Sequence, residues 1–333
     1  MTKKSILILC MILSIVVVVC SITIYPNTYS PIYEYGTNNI TCRVYKSGLC
    51  DVYCYDTYVD KEDLYDLENY KEYIKTIHLS GRCKYIDEGI FEDFTALESI
   101  EFYGNYLKTI GDRAFKGCKS LKSISLPSTV YSIGESAFEG CTSLESFVIP
   151  TGITKIASST FKDCTHLKSI GISSSVLSIG DSAFMNCGSL EQISPLYNVQ
   201  YIGERAFYVC INLESLTIND CIKIVRANNF VGCTSMTYNE KDNNDYLGNK
   251  DNPYLVLVKA NKYNNSCQIG QETKVIEENA FVDNYNIVIN YDGTREEFEK
   301  IKPSSLANGR TMTIKCSNGE FLFDWYIYLL TAI

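Results

Sequence analysis

Six cysteines, Cys118, Cys141, Cys164, Cys187, Cys210 and Cys233, recur at intervals of 23 residues without a slip. Each follows a phenylalanine by three positions, from Phe115 to Phe230, so a whole block repeats and not a thiol alone. A fixed period of this size is the mark of a solenoid, in which each unit buries its apolar side only against its neighbours. This feature constrains the fold more than any other and argues against an enzyme.

The unit from Ile110 to Ser132 reads IGDRAFKGCKSLKSISLPSTVYS, and further units open at Ile133, Ile156, Ile179, Ile202 and Val225. An earlier one opens at Ile86 and is one residue longer; before it only Ile74 to Leu79 is legible. In Leu121, Ile124 and Leu126 the apolar residues flank Ser123 and Ser125, an alternation that suits a half-buried strand. The Gly-x-x-Ala-Phe-x-Gly-Cys stretch is too short for a helix by itself and is predicted as one helical turn on the opposite side. Pro127 and Pro150 lack an amide hydrogen and should close the ladder after the strand. Stacked in register, roughly seven rungs spaced about 4.8 Å give a parallel sheet on the order of 30 Å long. Like side chains then lie over like. The phenylalanines form an aromatic spine, Ile110, Ile133, Ile156, Ile179 and Ile202 a second column, and the cysteines a third.

The blocks Ile-Gly-x-x-Ala-Phe-x-x-Cys and Leu-x-x-Ile-x-Leu-Pro, as in Ile110 to Pro127, resemble the leucine-rich repeats of the BspA-like type, also called the Treponema pallidum class. The resemblance covers about residues 74 to 236, returns weakly at Lys274 to Phe281, and extends to a closing segment at Tyr291 to Phe298. Thr160 in place of alanine and Pro195 in place of the strand's last apolar residue depart from it. It implies a leucine-rich repeat solenoid, a curved parallel sheet of 23-residue repeats with short helical turns behind it. It also implies an extracellular, surface-attached protein of adhesion or recognition.

Lys3 and Lys4 precede an apolar run from Ile6 to Tyr25. About 20 apolar residues suffice to cross a bilayer, and the lysines would hold the start inside. The expected organisation is a cytoplasmic stub at 1–4, a transmembrane signal-anchor at 5–25 and an N-terminal cap at 26–73. The solenoid at 74–238 follows, then a flexible Asn/Asp-rich insertion at 239–252 and a degenerate repeat with C-terminal cap at 253–333. That places the repeats outside the plasma membrane on a single-pass anchor; the rival is a cleaved signal peptide and a secreted protein. The net charge of −9 argues against nucleic acid, which needs a basic footprint.

The periodic cysteines project the same way and are expected as buried free thiols, behaving as small hydrophobes. Cys42, Cys50, Cys54 and Cys83 lie outside the register and are candidates for one or two disulfides stapling the N-terminal cap, with the pairing open. No Cys-x-x-Cys or Cys/His cluster suggests a metal, and no cofactor is implied. His78 and His166 are the two histidines, and neither has a nucleophile signature beside it. The candidate binding surface is the outward side of the strands. One column reads Thr76, Ser99, Ser123, Ser146, Ser169, Gln192 and Ser215; the other reads His78, Glu101, Ser125, Val148, Gly171, Ser194 and Thr217. These are small and mostly uncharged, without the Trp, Tyr and Arg that anchor tight interfaces. The functional expectation is a non-catalytic cell-surface protein that recognises a protein or extracellular-matrix ligand. The alternative is a surface-coat protein that packs with copies of itself.

Overall fold

The computed structural model describes residues 30–59, 63–260, 265–284, 286–301 and 311–324. Within them the chain winds as a parallel β-solenoid. Leu49–Cys54, Thr76–Gly81, Ser99–Phe102 and Ser123–Ile124 pair in parallel, one strand per turn. Ser146–Val148, Ser169–Gly171 and Gln192–Ile193 continue the same side of the coil. The register places Ser99 beside Ser123 and Ser146 beside Ser169, so equivalent positions do lie over one another.

The other side of the coil differs from the helical turns expected there. It carries two further parallel ladders of two-residue strands, one from Tyr58–Val59 to Ser132–Ile133 and one from Lys155–Ile156 to Ile224–Val225. The Gly-to-Cys stretch is a tight turn, because two residues per unit stand in the left-handed region: Arg113 and Gly117, Ser136 and Gly140, Ser182 and Asn186. Left-handed residues cannot propagate a right-handed helix. The amides there bond to the next turn instead. Phe115 N–H donates to the Ala137 carbonyl at 2.8 Å and Phe138 N–H to Thr160 at 2.9 Å. One hydrogen-bond direction, along the stack, therefore serves both faces of the coil.

The interior follows the periodicity. Rings of Phe91, Phe115, Phe138, Phe161, Phe184, Phe207 and Phe230 stack with centroids 5.4 to 6.0 Å apart. The repeat cysteines are buried thiols, and each Sγ–H donates back to a phenylalanine carbonyl. Cys118 reaches Phe91 at 3.1 Å, Cys164 reaches Phe138 at 3.1 Å, and Cys233 reaches Phe207 at 3.1 Å. Thr160, the departure from alanine, is buried and bonds its hydroxyl to the Ala157 carbonyl at 2.8 Å. The Pro127 and Pro150 carbonyls accept from Val130 and Ile153 in the turns that end the strands.

Both ends are closed by hairpins. Tyr33–Gly36, Ile40–Val44 and Leu49–Cys54 form an antiparallel meander on the first turn, covering an edge that would otherwise be free. Residues 239–252, expected to be a flexible insertion, are instead built into the sheet. Asn239–Lys241 and Asn244–Leu247 make a hairpin that pairs with Val256–Lys259, which in turn pairs in parallel with Val275–Ile276. Ser266–Ile269, Val288–Tyr291 and Thr311–Cys316 then form a further parallel stretch, capped by Gly319–Asp324. A helix at Arg295–Ile301 buries Phe298 and opens on a reciprocal cap, Thr294 N–H to Glu297 at 2.8 Å and Glu297 N–H to the Thr294 hydroxyl at 3.3 Å. The expected signal-anchor at 5–25 lies outside the described residues. Among those described, no helix is long and apolar enough to cross a membrane.

Candidate functional site

The strand alternation sends Ile77, Ile100, Ile124, Phe147 and Ile170 into the core and leaves the neighbouring positions outside. Glu101, Ser123, Ser125, Ser146, Val148, Ser169, Gln192, Ser215 and Thr217 are exposed, while Thr76, His78, Ser99 and Ser194 are half-buried. Thr76, Ser99 and Ser123 form one lateral row, in which the Thr76 and Ser99 hydroxyls lie 3.3 Å apart. Ser146, Ser169 and Gln192 form the next. Ser215 and Thr217 belong to no strand, because the ladder thins to a single bridge between Leu196 and Ile218 after Pro195.

The face is not one continuous sheet. Ser123–Ile124 pairs on the N-terminal side and Ser146–Val148 on the C-terminal side, but the two strands do not pair with each other. At this rung Phe147 stands where its neighbours have isoleucine, and its ring packs 5.1 Å from Phe138 and 4.8 Å from Phe161. The gap is a crevice of about 400 Å³ bordered by Ser123, Ser125, Ser146, Val148 and Thr151. Val148, 74% exposed, stands on its rim.

At the N-terminal end the face turns charged and aromatic. His78 lies between two carboxylates in register across three strands, Nδ1 3.0 Å from Asp51 and Nε2 3.7 Å from Glu101. Tyr103 packs edge-on to His78 at 5.3 Å and donates its hydroxyl to Glu101 at 2.6 Å, a bond that pushes the phenol pKa up. A second concavity of about 270 Å³ is lined by Thr41, Arg43, Asp51, Tyr53 and Tyr55. Arg43 is held by Glu34 at 2.8 Å, and the Tyr53 and Tyr55 rings meet edge-on at 4.9 Å. The sequence reading missed Asp51, Tyr53 and Tyr103 as members of this face. The alternation of Cys50, Val52 and Cys54 was the available signal, because it marks a strand that continues the ladder by one turn. His78 Nε2 faces a carboxylate and not a hydroxyl, so no nucleophile is assembled around it. No group of three or more His, Cys, Asp and Glu side chains suited to a metal ion occurs among the described residues.

The four cysteines of the N-terminal cap come together as two pairs. Cys42 and Cys50, diagonal across the hairpin, have their sulfurs 3.4 Å apart, and Cys54 hydrogen-bonds Cys83 from the next turn. All four are buried thiols, and the neighbouring sulfur together with burial pushes the Cys50 and Cys54 pKa values well up.

A family model described as BspA type Leucine rich repeat region matches in six copies over residues 65–176 and 108–237, just over half of the chain. A leucine rich cell surface protein of Faecalibacterium prausnitzii is 17% identical, with 84% of this chain and 99% of that one covered at a TM-score of 0.39. The Treponema pallidum leucine rich repeat protein is 20% identical over 62% and 80%, at 0.37. A leucine-rich repeat protein of Bacteroides ovatus is 18% identical over 85% and 100%, at 0.38. At these scores the overlays add nothing to the family assignment, which rests on the repeat match. No curated protein matches the chain. With its phenylalanine spine, cysteine column and six matched repeats, the chain belongs to the BspA-type leucine-rich repeat proteins.

Proposed function

We propose that this is a cell-surface protein that recognises a protein or extracellular-matrix ligand through its exposed strand face, without catalysis. The interrupted ladder carries this reading. Between Ser123–Ile124 and Ser146–Val148 the ladder lapses in the middle of an open face, although the Glu145 N–H still bonds the Lys122 carbonyl at 3.1 Å, and a crevice lies on the surface there. Such a crevice, with Val148 on its rim and serine hydroxyls along its sides, suits an apolar side chain of a ligand held by hydrogen bonds around it. The Asp51–His78–Glu101 row, with Tyr53 and Tyr103, supplies the charged and aromatic contacts that the serine columns lack. Photo-crosslinkers placed at Val148 and at Glu135, on the opposite side of the coil, test this on whole cells. Crosslinks to another protein from position 148 alone support the reading, and equal yields from both positions refute it.

Self-packing into a coat is the second reading, since the same open face also suits a second copy of the chain. Crosslinked products of twice the chain mass would decide for it. The repeats are placed outside the plasma membrane by a signal-anchor at 5–25, or secreted after cleavage; protease added to intact cells digests them in the first case. In that oxidising setting the pairs Cys42–Cys50 and Cys54–Cys83 each close by exchange with an oxidised disulfide, whose two sulfurs leave as thiols. Peptide mapping without reductant should recover these two pairings and no bridge within the repeat column.

A further inference from the structure

We propose that the seam between the regular repeats and the C-terminal part is a binding pocket for a small organic cation, an ammonium group on an aliphatic stem. The apolar interior divides there into two clusters, one running from Ile40 to Val275 and the other holding Tyr246, Leu257, Phe281 and Phe298. Near this division, bordered by the first cluster at Phe230, Cys233 and Val258, lies a cavity of about 490 Å³, within the range of small-molecule sites. Its walls are the side chains of Phe230, Val231, Tyr238, Val258 and Val282, from the last regular unit, the strand at 256–259 and the unit that follows.

Glu277 supplies the polar anchor. It is only 5% exposed, yet it lines the cavity. One carboxyl oxygen accepts the Asn229 N–H at 3.0 Å, and the residue borders the cavity. Asp245 and Asp283 add two carboxyl groups to the lining, and Lys259, its one basic side chain, is paired with Asp283 at 3.8 Å. Three acidic side chains against one lysine that is already paired favour a cation over an anion. The apolar walls suit the stem of an alkylammonium, and the Tyr238 and Phe230 rings tolerate its charge.

The unit pattern explains why an acid sits here. Glu277 occupies the place held by Gly111, Gly134, Gly180 and Gly203 in regular units, between the isoleucine and the Ala-Phe pair. A Cβ at Gly180 would meet the Ser158 amide nitrogen at 2.7 Å, so glycine there marks close approach of successive turns. Arg226 in the preceding unit also replaces that glycine, and it pairs with Glu278 at 3.4 Å. Two large side chains in consecutive close-approach positions go with a coil that has opened.

Occupancy should move a proton. Burial pushes the Glu277 pKa up to about 8, Glu278 adds to the rise, and the Asn229 N–H opposes it. Burial and Glu240 raise Asp245 as well, while Cys233 and Tyr238 in the lining are pushed up and stay neutral at pH 7. An ammonium beside Glu277 favours its ionised form, so binding at pH 7 releases a proton and strengthens as pH rises toward about 8.

Isothermal titration of the full chain with hexylamine, in two buffers of different protonation enthalpy, tests both features, with 1-hexanol and hexanoate as controls. Saturable binding of hexylamine is expected, about 10-fold tighter than 1-hexanol, with release of close to one proton and none of the same binding for hexanoate. Glu277→Gln should weaken hexylamine by about 10-fold or more and abolish the proton release. Val282→Trp, which fills the cavity from its wall, should give the same loss of affinity if the Gln variant does not fold. Absence of saturable binding, equal binding of 1-hexanol, or affinity unchanged in the variants that fold overturns the site.

Discussion

The regular array and the C-terminal part use the same alternation of small strands and tight turns, yet they differ in how their interiors join. In the array each ring, thiol and isoleucine sits on its own copy one turn away, and the result is a single apolar cluster. Past Met236 the copies are lost, a hairpin enters the sheet, and a separate cluster forms around Phe281 and Phe298. Identical neighbours make a column whose members share one environment. Unlike neighbours leave seams, and seams are where polar groups such as Glu277 can be buried.

The largest expected effect tests whether the two parts are coupled. Phe161→Ala removes a fully buried ring stacked on both sides and should cost about 3–5 kcal/mol, with loss of hydrogen-exchange protection through several neighbouring turns. Phe281→Ala should confine its loss of protection to residues after 239, because Phe281 belongs to the second cluster. Identical protection maps for the two variants would erase the distinction.

A smaller effect belongs to the seam. Glu277 has its folded pKa raised to about 8 from the ordinary value of 4.5, so the folded state holds its proton more tightly than the unfolded chain. Stability contributed by this group is therefore present below about pH 4.5, falls as pH rises through the interval, and levels off above about pH 8. Denaturant titrations across that range should show the decline in the native chain and a flatter profile in Glu277→Gln. A rise with pH instead would contradict the burial of Glu277.

Cys164→Ala comes next, at about 1–2 kcal/mol, from one lost Sγ–H to carbonyl bond and a small void in the column. Ser146→Ala on the exposed face should fall within about 0.5 kcal/mol. Urea midpoints for the two would rank them. Equal losses would contradict the assignment of one position to the interior and the other to solvent.

Much of the fold was legible because a period is a global statement written locally. The 23-residue spacing of Phe115 to Phe230 and of Cys118 to Cys233 placed both columns inside and the serines of 123, 146 and 169 outside. The turn stretch was misread as helical, since Gly-x-x-Ala-Phe does not announce that Arg113, Ser136 and Ser182 adopt left-handed backbone. Nor did the residue pattern of 239–252 disclose a hairpin whose partner strand begins only at Val256. On the exposed strand face, Ser123, Ser146 and Val148 were placed on the outward side, but the crevice beside them has no signal in the repeat pattern. It depends on whether two adjacent strands pair, and the one local sign was Phe147 in a column of isoleucines.

By itself the sequence determined the stack, because a constant repeat forces each residue type to meet its own kind at a fixed distance along the axis. Tertiary structure alone decided where that stack breaks. The row joining Asp51 to His78 and Glu101 and the cavity at Glu277 depend on contacts between residues 23 or more positions apart that differ in kind, and the gap beside Phe147 on one ring packed against the phenylalanine spine. A spacing rule carries no information about such contacts, because ring volume, hydrogen-bond direction and desolvation are settled only when the turns close on one another.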